Sequence, residues 1–191
     1  MADNTIKTIG ICGSAARHNT HHKIDEKVLT KLIESIYNIL HQYQNNCILV
    51  SGGAAFVDHI AVSLFLQNKI SNLYLALPAA FDFNKHCYID HNDGKISNYY
   101  HNLYSKQLQL IYNVNNYNSL YELNQVLQHG NNNGQNCTYS VCSNFKARNM
   151  IVARSNILIA ASWGDKPSGE TLYTYNNHNG IKHYINLYDL K

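Results

Sequence analysis

Short apolar runs alternate along this chain with longer stretches of helical period. "TIKTIGICG" carries Ile6, Ile9 and Ile11 and reads as a strand ending at Gly13. From Ile24 onward, Val28, Leu29, Leu32, Ile33, Ile36, Ile39 and Leu40 recur at the spacing of an amphipathic helix. "CILVS", Cys47 to Ser51, is a second strand bounded by Gly52, and a second helix follows with Ala54, Val57, Ala61, Leu64 and Phe65 on one face. "LYLALP", Leu73 to Pro78, is apolar at nearly every position, as expected of a strand covered on both sides.

This order is the rhythm of a parallel sheet with right-handed crossovers and helices on both faces. Between Ala79 and Cys142 the period is lost. "FDFNKHCYIDHNDGKIS" has turn chemistry, "NYYHNLYSKQLQLIY" and "SLYELNQVLQ" read as helices with Tyr and Leu inward, and His129 to Asn136, "HGNNNGQN", reads as a surface loop. Order returns with Asn144 to Ser155, a helix expected to bury Phe145, Met150, Ile151 and Ala153, and with the apolar strand Asn156 to Ser162. A turn containing Gly169 opens a further helix, and "KHYINLYDL" closes the pattern as a strand. The expected fold is α/β: a Rossmann-like three-layer α/β/α arrangement around a mainly parallel central sheet of five or more strands. Residues 1–191 are expected to form a single domain with a variable insertion at about 79–143.

Composition narrows the function classes. With 45% hydrophobic and 14% charged residues, a chain of 191 residues can bury one sizeable core. No apolar run is long enough to span a bilayer and "MADNTIK" lacks the blocks of a secretory signal, so a cytoplasmic protein with no membrane partner is expected. Five cysteines without a C-x-x-C pair suit free thiols. A formal charge of +3 is too mild to announce nucleic-acid binding. His18, His21 and His22 lie close together but lack a partnering carboxylate pattern, so neither a metal nor a cofactor is expected.

The candidate chemistry lies where strands hand over to helices. "GSAAR" (Gly13 to Arg17), "SGGA" (Ser51 to Ala54) and "SGET" (Ser168 to Thr171) are small, donor-rich loops at three strand ends, in a chain with only ten glycines. If each opens a helix, its backbone N–H groups and the helix dipole favour a phosphate or carboxylate. Glycine then permits close approach. The plainer alternative for Gly52 and Gly53 is a tight strand-to-helix turn, and for Asp58 a first-turn carboxylate beside the helix N-terminus. Trp163 is placed to wall a pocket or to join the core, and the tyrosines of "SNYYHNLY" to stack on a base or to pack on the sheet.

Taken in order, "GSAAR", "SGGAAFVDHIAV", "ARNMIVARSNILIAA" and "SGETLYT" resemble the SLOG superfamily of Rossmann-like nucleotide-binding proteins, nearest to the core of the DprA (Smf) family and next to the LOG family of phosphoribohydrolases. The likeness covers roughly 8 to 78 and 144 to 187. It implies a ligand site made of Gly13, Ser14, Arg17, Ser51, Gly52, Gly53, Arg148, Asn149, Ser168, Gly169 and Thr171, and a nucleotide or other phosphorylated small molecule as ligand. Two departures stand out. Phe56 replaces the glycine usual in the second loop, and Thr174 stands where the LOG pattern has its catalytic glutamate. Asp58 and Glu170 are then the carboxylates available for catalysis of N-glycosidic cleavage. Three functions follow as expectations: a nucleotide-binding module, an N-glycosidase or phosphoribohydrolase, and a single-stranded-DNA binder using Lys146, Arg148 and Arg154. Helix-mediated pairing in the family implies a homo-oligomer.

Overall fold

The chain is described from a computed structural model covering residues 6–15, 24–43, 47–130 and 134–191. Arg17 and the histidines His18, His21 and His22 lie outside the described residues, as does part of the His129 to Asn136 stretch. In chain order the elements are β1 (Lys7–Gly13), α1 (Glu26–His41), β2 (Cys47–Ser51), α2 (His59–Leu66) and β3 (Asn72–Leu77). A small hairpin of β4 (Phe81–Asp82) and β5 (Cys87–Tyr88) then leads to α3 (Asp93–Tyr112) and α4 (Ser119–His129). The chain finishes with β6 (Asn136–Val141), α5 (Phe145–Ala153), β7 (Ile157–Ser162), α6 (Gly169–Asn177), β8 (Ile181–Asn186) and a 3-10 turn (Leu187–Leu190).

Six strands form one sheet in the order β6-β3-β2-β1-β7-β8, with every pairing parallel. Side chains alternate across it. Ile9, Ile11, Leu49, Leu75, Ile157 and Ile159 join the larger core with α1, α2, α3 and α4, whereas Cys12, Val50, Leu158 and Ala160 meet Val152 of α5 on the opposite face. The result is a Rossmann-like three-layer α/β fold. From β1 the chain steps outward through β2, β3 and β6 with its helices on one face, then returns to the other side of β1 with helices on the other face. A reversal of direction together with a change of face keeps the crossovers of one hand. The strand order therefore switches between β1 and β7, where connections diverge and leave a crevice at the carboxyl ends.

Four local differences from the sequence pattern have physical causes. Residues 136–141, of which only Asn136 belongs to the expected loop and the rest carry no predicted element, form the edge strand β6, in which only Cys137 is buried, so no apolar run advertises it. The strand expected over "KHYINLYDL" stops at Asn186, whose side chain accepts the Tyr188 N–H and turns the chain. On α5 the buried residues are Arg148, Asn149, Val152 and Ala153, while Phe145, Met150 and Ile151 are half-buried, because this face must meet a polar site as well as the sheet. The second helix starts at His59, not near Ala54, because Phe56 adopts φ +67°, outside helical geometry.

Among the described residues no helix is long and apolar enough to cross a membrane. None of the five cysteines is in a disulfide.

Candidate functional site

At the switch point lies a cleft of about 640 Å³. Gly13, Ser14 and Ala15 line it from the end of β1, Ala54 and Ala55 from the segment after β2, and Trp163 with Ser168 to Thr171 from the segment after β7. Arg148 and Phe145 of α5 and Ile96, Ser97 and Tyr100 of α3 complete the wall. Of the three loops singled out in the sequence, the first reaches this cleft through Gly13 to Ala15, the second through Ala54 alone and the third through Ser168 to Thr171. Gly53, Ser51, Gly52, Asp58 and Asn149 are not among its lining residues.

Those five residues are occupied behind the cleft. Asp58 is only 4% exposed. Its Oδ1 accepts the Gly13 N–H at 3.1 Å, its Oδ2 accepts from Arg148 Nη1 at 3.0 Å, and the Gly52 and Ala54 N–H groups also donate to the carboxylate. Burial pushes the Asp58 carboxyl up, and the guanidinium and the three amides oppose that push. The backbone donors that glycine-rich loops offer to an anion are here gathered around the chain's own carboxylate. Asp58 immediately precedes α2 yet makes no capping bond to it, so a helix-start role does not account for its burial. It joins the ends of β1 and β2 to α5.

Gly52 has a steric explanation within the same knot. A Cβ there would overlap the Arg148 guanidinium, which also donates to the Gly52 carbonyl at 3.2 Å. The Gly53 N–H donates to Ser51 Oγ, which itself donates to the Asp58 carbonyl. The expectation that each loop opens a helix directly fails for the second loop, while the first runs into residues outside the described ones. α1 begins only at Glu26, with Asp25 as its cap, and α2 only at His59. The Ser14 N–H is used as well, donating to Ala161 of β7. The third loop runs straight into a helix: α6 starts at Gly169, and Ser168 makes no side-chain capping bond, which leaves the first-turn N–H groups of α6 uncapped by their own N-cap. Ser168, Gly169 and Glu170 are exposed and Thr171 is buried at the cleft.

The Gly53 carbonyl is held from the α3 side. Tyr88 Oη and His101 Nε2 both lie 3.0 Å from it. Because a carbonyl only accepts, His101 carries its proton on Nε2, and Nδ1 accepts from Ser119 Oγ at 2.9 Å. Burial, and His59 beside it, hold the His101 pKa down to about 3 against an ordinary 6.5, with the Gly53 contact opposing. Unfolded chains therefore bind a proton here below pH 6.5 that the folded chain refuses until about pH 3. Stability from this group is complete above pH 6.5 and declines on acidification. Between pH 7.5 and pH 5 the loss is expected to be about 2 kcal/mol. Urea unfolding at a series of pH values checks this: His101→Gln should flatten the pH slope, and an unchanged slope would refute the assignment.

The carboxylate that does line the cleft is Glu170, and Asn149 Nδ2 donates to its Oε2 at 2.6 Å. Thr174 is buried and donates to the Glu170 carbonyl, so no carboxylate occupies that position. Arg148, 6% exposed, has an Nε without an acceptor among the described residues and stacks its guanidinium 5.4 Å from the Phe145 ring centre. Trp163 belongs to the cleft wall and packs partly on the core. Tyr100 does the same from α3, so part of the unpatterned middle segment builds the site. Ile96, Ser97 and Phe145 were missed as site residues because nothing in their spacing distinguishes them from an ordinary helix face. Among the described residues no group of three or more His, Cys, Asp or Glu could hold a metal ion.

The arrangement offers one guanidinium, an uncapped helix start, serine and threonine hydroxyls, one tethered carboxylate and an aromatic wall, which together suit a small ligand with an anionic part and a flat part.

No protein-family profile and no solved structure matches the chain. An uncharacterized protein of Acanthamoeba polyphaga mimivirus is 32% identical over 193 aligned positions, which cover 96% of this chain and 93% of the relative. Identity at that level along nearly the full length of both chains shows that this protein belongs to the same family as the mimivirus protein.

Proposed function

We propose that the protein binds a phosphorylated nucleoside or a nucleotide-derived ligand in the cleft at its switch point. The observation that carries this reading is the joining, in one cleft, of the uncapped start of α6 and Arg148 to an aromatic wall of Tyr100, Phe145 and Trp163. A phosphate suits the helix start, and a base suits the aromatic wall. Glu170, held by Asn149, is placed to accept from sugar hydroxyls, a role in which a carboxylate is favoured over a neutral group. The resemblance of "GSAAR", "SGGA" and "SGET" to the SLOG superfamily supports the same ligand class.

A second reading draws on Glu170 alone. A carboxylate inside the cleft is what stabilisation of an oxocarbenium-like state requires, so hydrolysis or transfer at an N-glycosidic bond is the enzymatic form of this function. Asp58, turned toward Arg148 and the loop amides, acts in this reading as a positioning residue.

Trp163 is the only tryptophan, so its emission reports directly on the cleft. Titration with nucleoside monophosphates is expected to give a saturable change, and a ligand at a hundred times its Kd should add about 2.7 kcal/mol of stability. Glu170→Gln is expected to weaken ribonucleotides about tenfold through the lost charge-assisted bond. No saturable change with any nucleotide would overturn the binding function. Release of free base that Glu170→Gln abolishes would establish the enzymatic form.

A further inference from the structure

A second cavity of about 480 Å³ adjoins the cleft, at the carboxyl ends of β3 and β6. Ile96 lines both cavities, and at the start of α5 Asn144 lines the second and Phe145 the first. Ile96 is an exposed large apolar side chain at their junction, the kind of surface that a bound molecule covers. Each cavity lies within the range of about 300–1,000 Å³ of small-molecule sites.

We propose that the natural ligand is a dinucleotide, two nucleosides joined by a single phosphodiester, with one nucleoside in the cleft and the other beyond Ile96. This deepens the nucleotide reading and rests on it. Charge limits the number of phosphates. Arg148 is the one lysine or arginine among the described residues lining the two cavities, while the carboxylates of Glu170 and Asp93 line them as well. The amides of Gly13, Gly52 and Ala54 are already turned to Asp58. The Arg148 guanidinium is already balanced by Asp58, so a single phosphodiester charge matches the one helix start, whereas a triphosphate would meet two further carboxylates with little to balance it. The second cavity suits a neutral group: Pro78 and Ala79 give it an apolar floor, and Asn92, Ser143 and Asn144 give it hydrogen-bonding side chains.

The test uses the full chain and Trp163 emission, with AMP, the dinucleoside monophosphate ApA and ATP as probes. ApA is expected to bind at least tenfold tighter than AMP, and ATP no tighter than AMP. Ala80 is exposed and lines the second cavity, so Ala80→Tyr fills that cavity without touching the core and leaves Trp163 the single tryptophan. The variant should bring ApA to the affinity of AMP and leave AMP unchanged. Equal affinity of the wild type for AMP and ApA, or an Ala80→Tyr effect that is the same for both, overturns the two-part ligand while the nucleotide function stands. Failure of all three probes to bind overturns the two-part ligand, and failure of every nucleotide titrated overturns the binding function with it.

Discussion

Replacing Arg148 by methionine is expected to lower the free energy of unfolding by about 3–5 kcal/mol, the cost of leaving a buried carboxylate without its counter-charge. Both partners are almost fully buried and lie 3.0 Å apart. The carboxylate would keep its amide donors from Gly13, Gly52 and Ala54 but lose its only cationic partner among the described residues. The change is expected as a lower urea midpoint at an unaltered slope. Arg148→Met combined with Asp58→Asn should be less damaged than Arg148→Met alone, since the amide side chain still offers an oxygen to the Gly13 N–H and carries no charge. A double-mutant cycle with no coupling would mean that the pair is not the desolvated tie described above. The cycle also bears on function. An Arg148 variant that has lost its fold says nothing about ligand contact, which is why the binding tests use Glu170 and Ala80.

At Phe56 the expected result is an inverted order of substitutions. The ring is fully buried, 6.0 Å from the Tyr104 ring centre, and truncation to alanine is expected to cost about 3–5 kcal/mol. The backbone pulls the other way. At φ +67° a residue with a Cβ is held in the left-handed region, which costs about 1–2 kcal/mol that glycine does not incur. Phe56→Gly is therefore expected to be more stable than Phe56→Ala by about 1 kcal/mol, although glycine is ordinarily the worse of the two. Equilibrium unfolding of the two variants decides the matter: an alanine variant equal to or better than the glycine variant would show that this backbone is not strained. The Phe56 ring thus fills the core and is not among the residues that line the cleft.

How much of the site could be read from the sequence depends on whether a residue's role is local. The "SGET" loop carries its own signal, a small-residue start to a helix, and it is at the cleft. "SGGA" carries a similar signal, but its glycine at position 52 answers to Arg148, which is 96 residues away in the chain. No spacing rule links them. Asp58 looked like a carboxylate available for chemistry, and only the packing of three loops and one helix shows that both its oxygens are engaged. Tyr100 and Trp163 could be read as either core or pocket wall, and each proves to touch both. His101 gave no signal at all, since a histidine in a helical stretch does not announce that it will hold the carbonyl of Gly53.

By itself, the sequence determined the alternation of strands and helices, and with it the parallel sheet, because apolar periodicity is a local property that burial on a given face enforces. It also determined which strand ends carry small, donor-rich loops. Tertiary structure alone decided where the strand order reverses, which of those loops share a cleft, and which anion their amides hold. Those outcomes depend on contacts between residues far apart in the chain, where a buried charge settles on whichever partner the fold brings within reach, and periodicity carries no record of that choice.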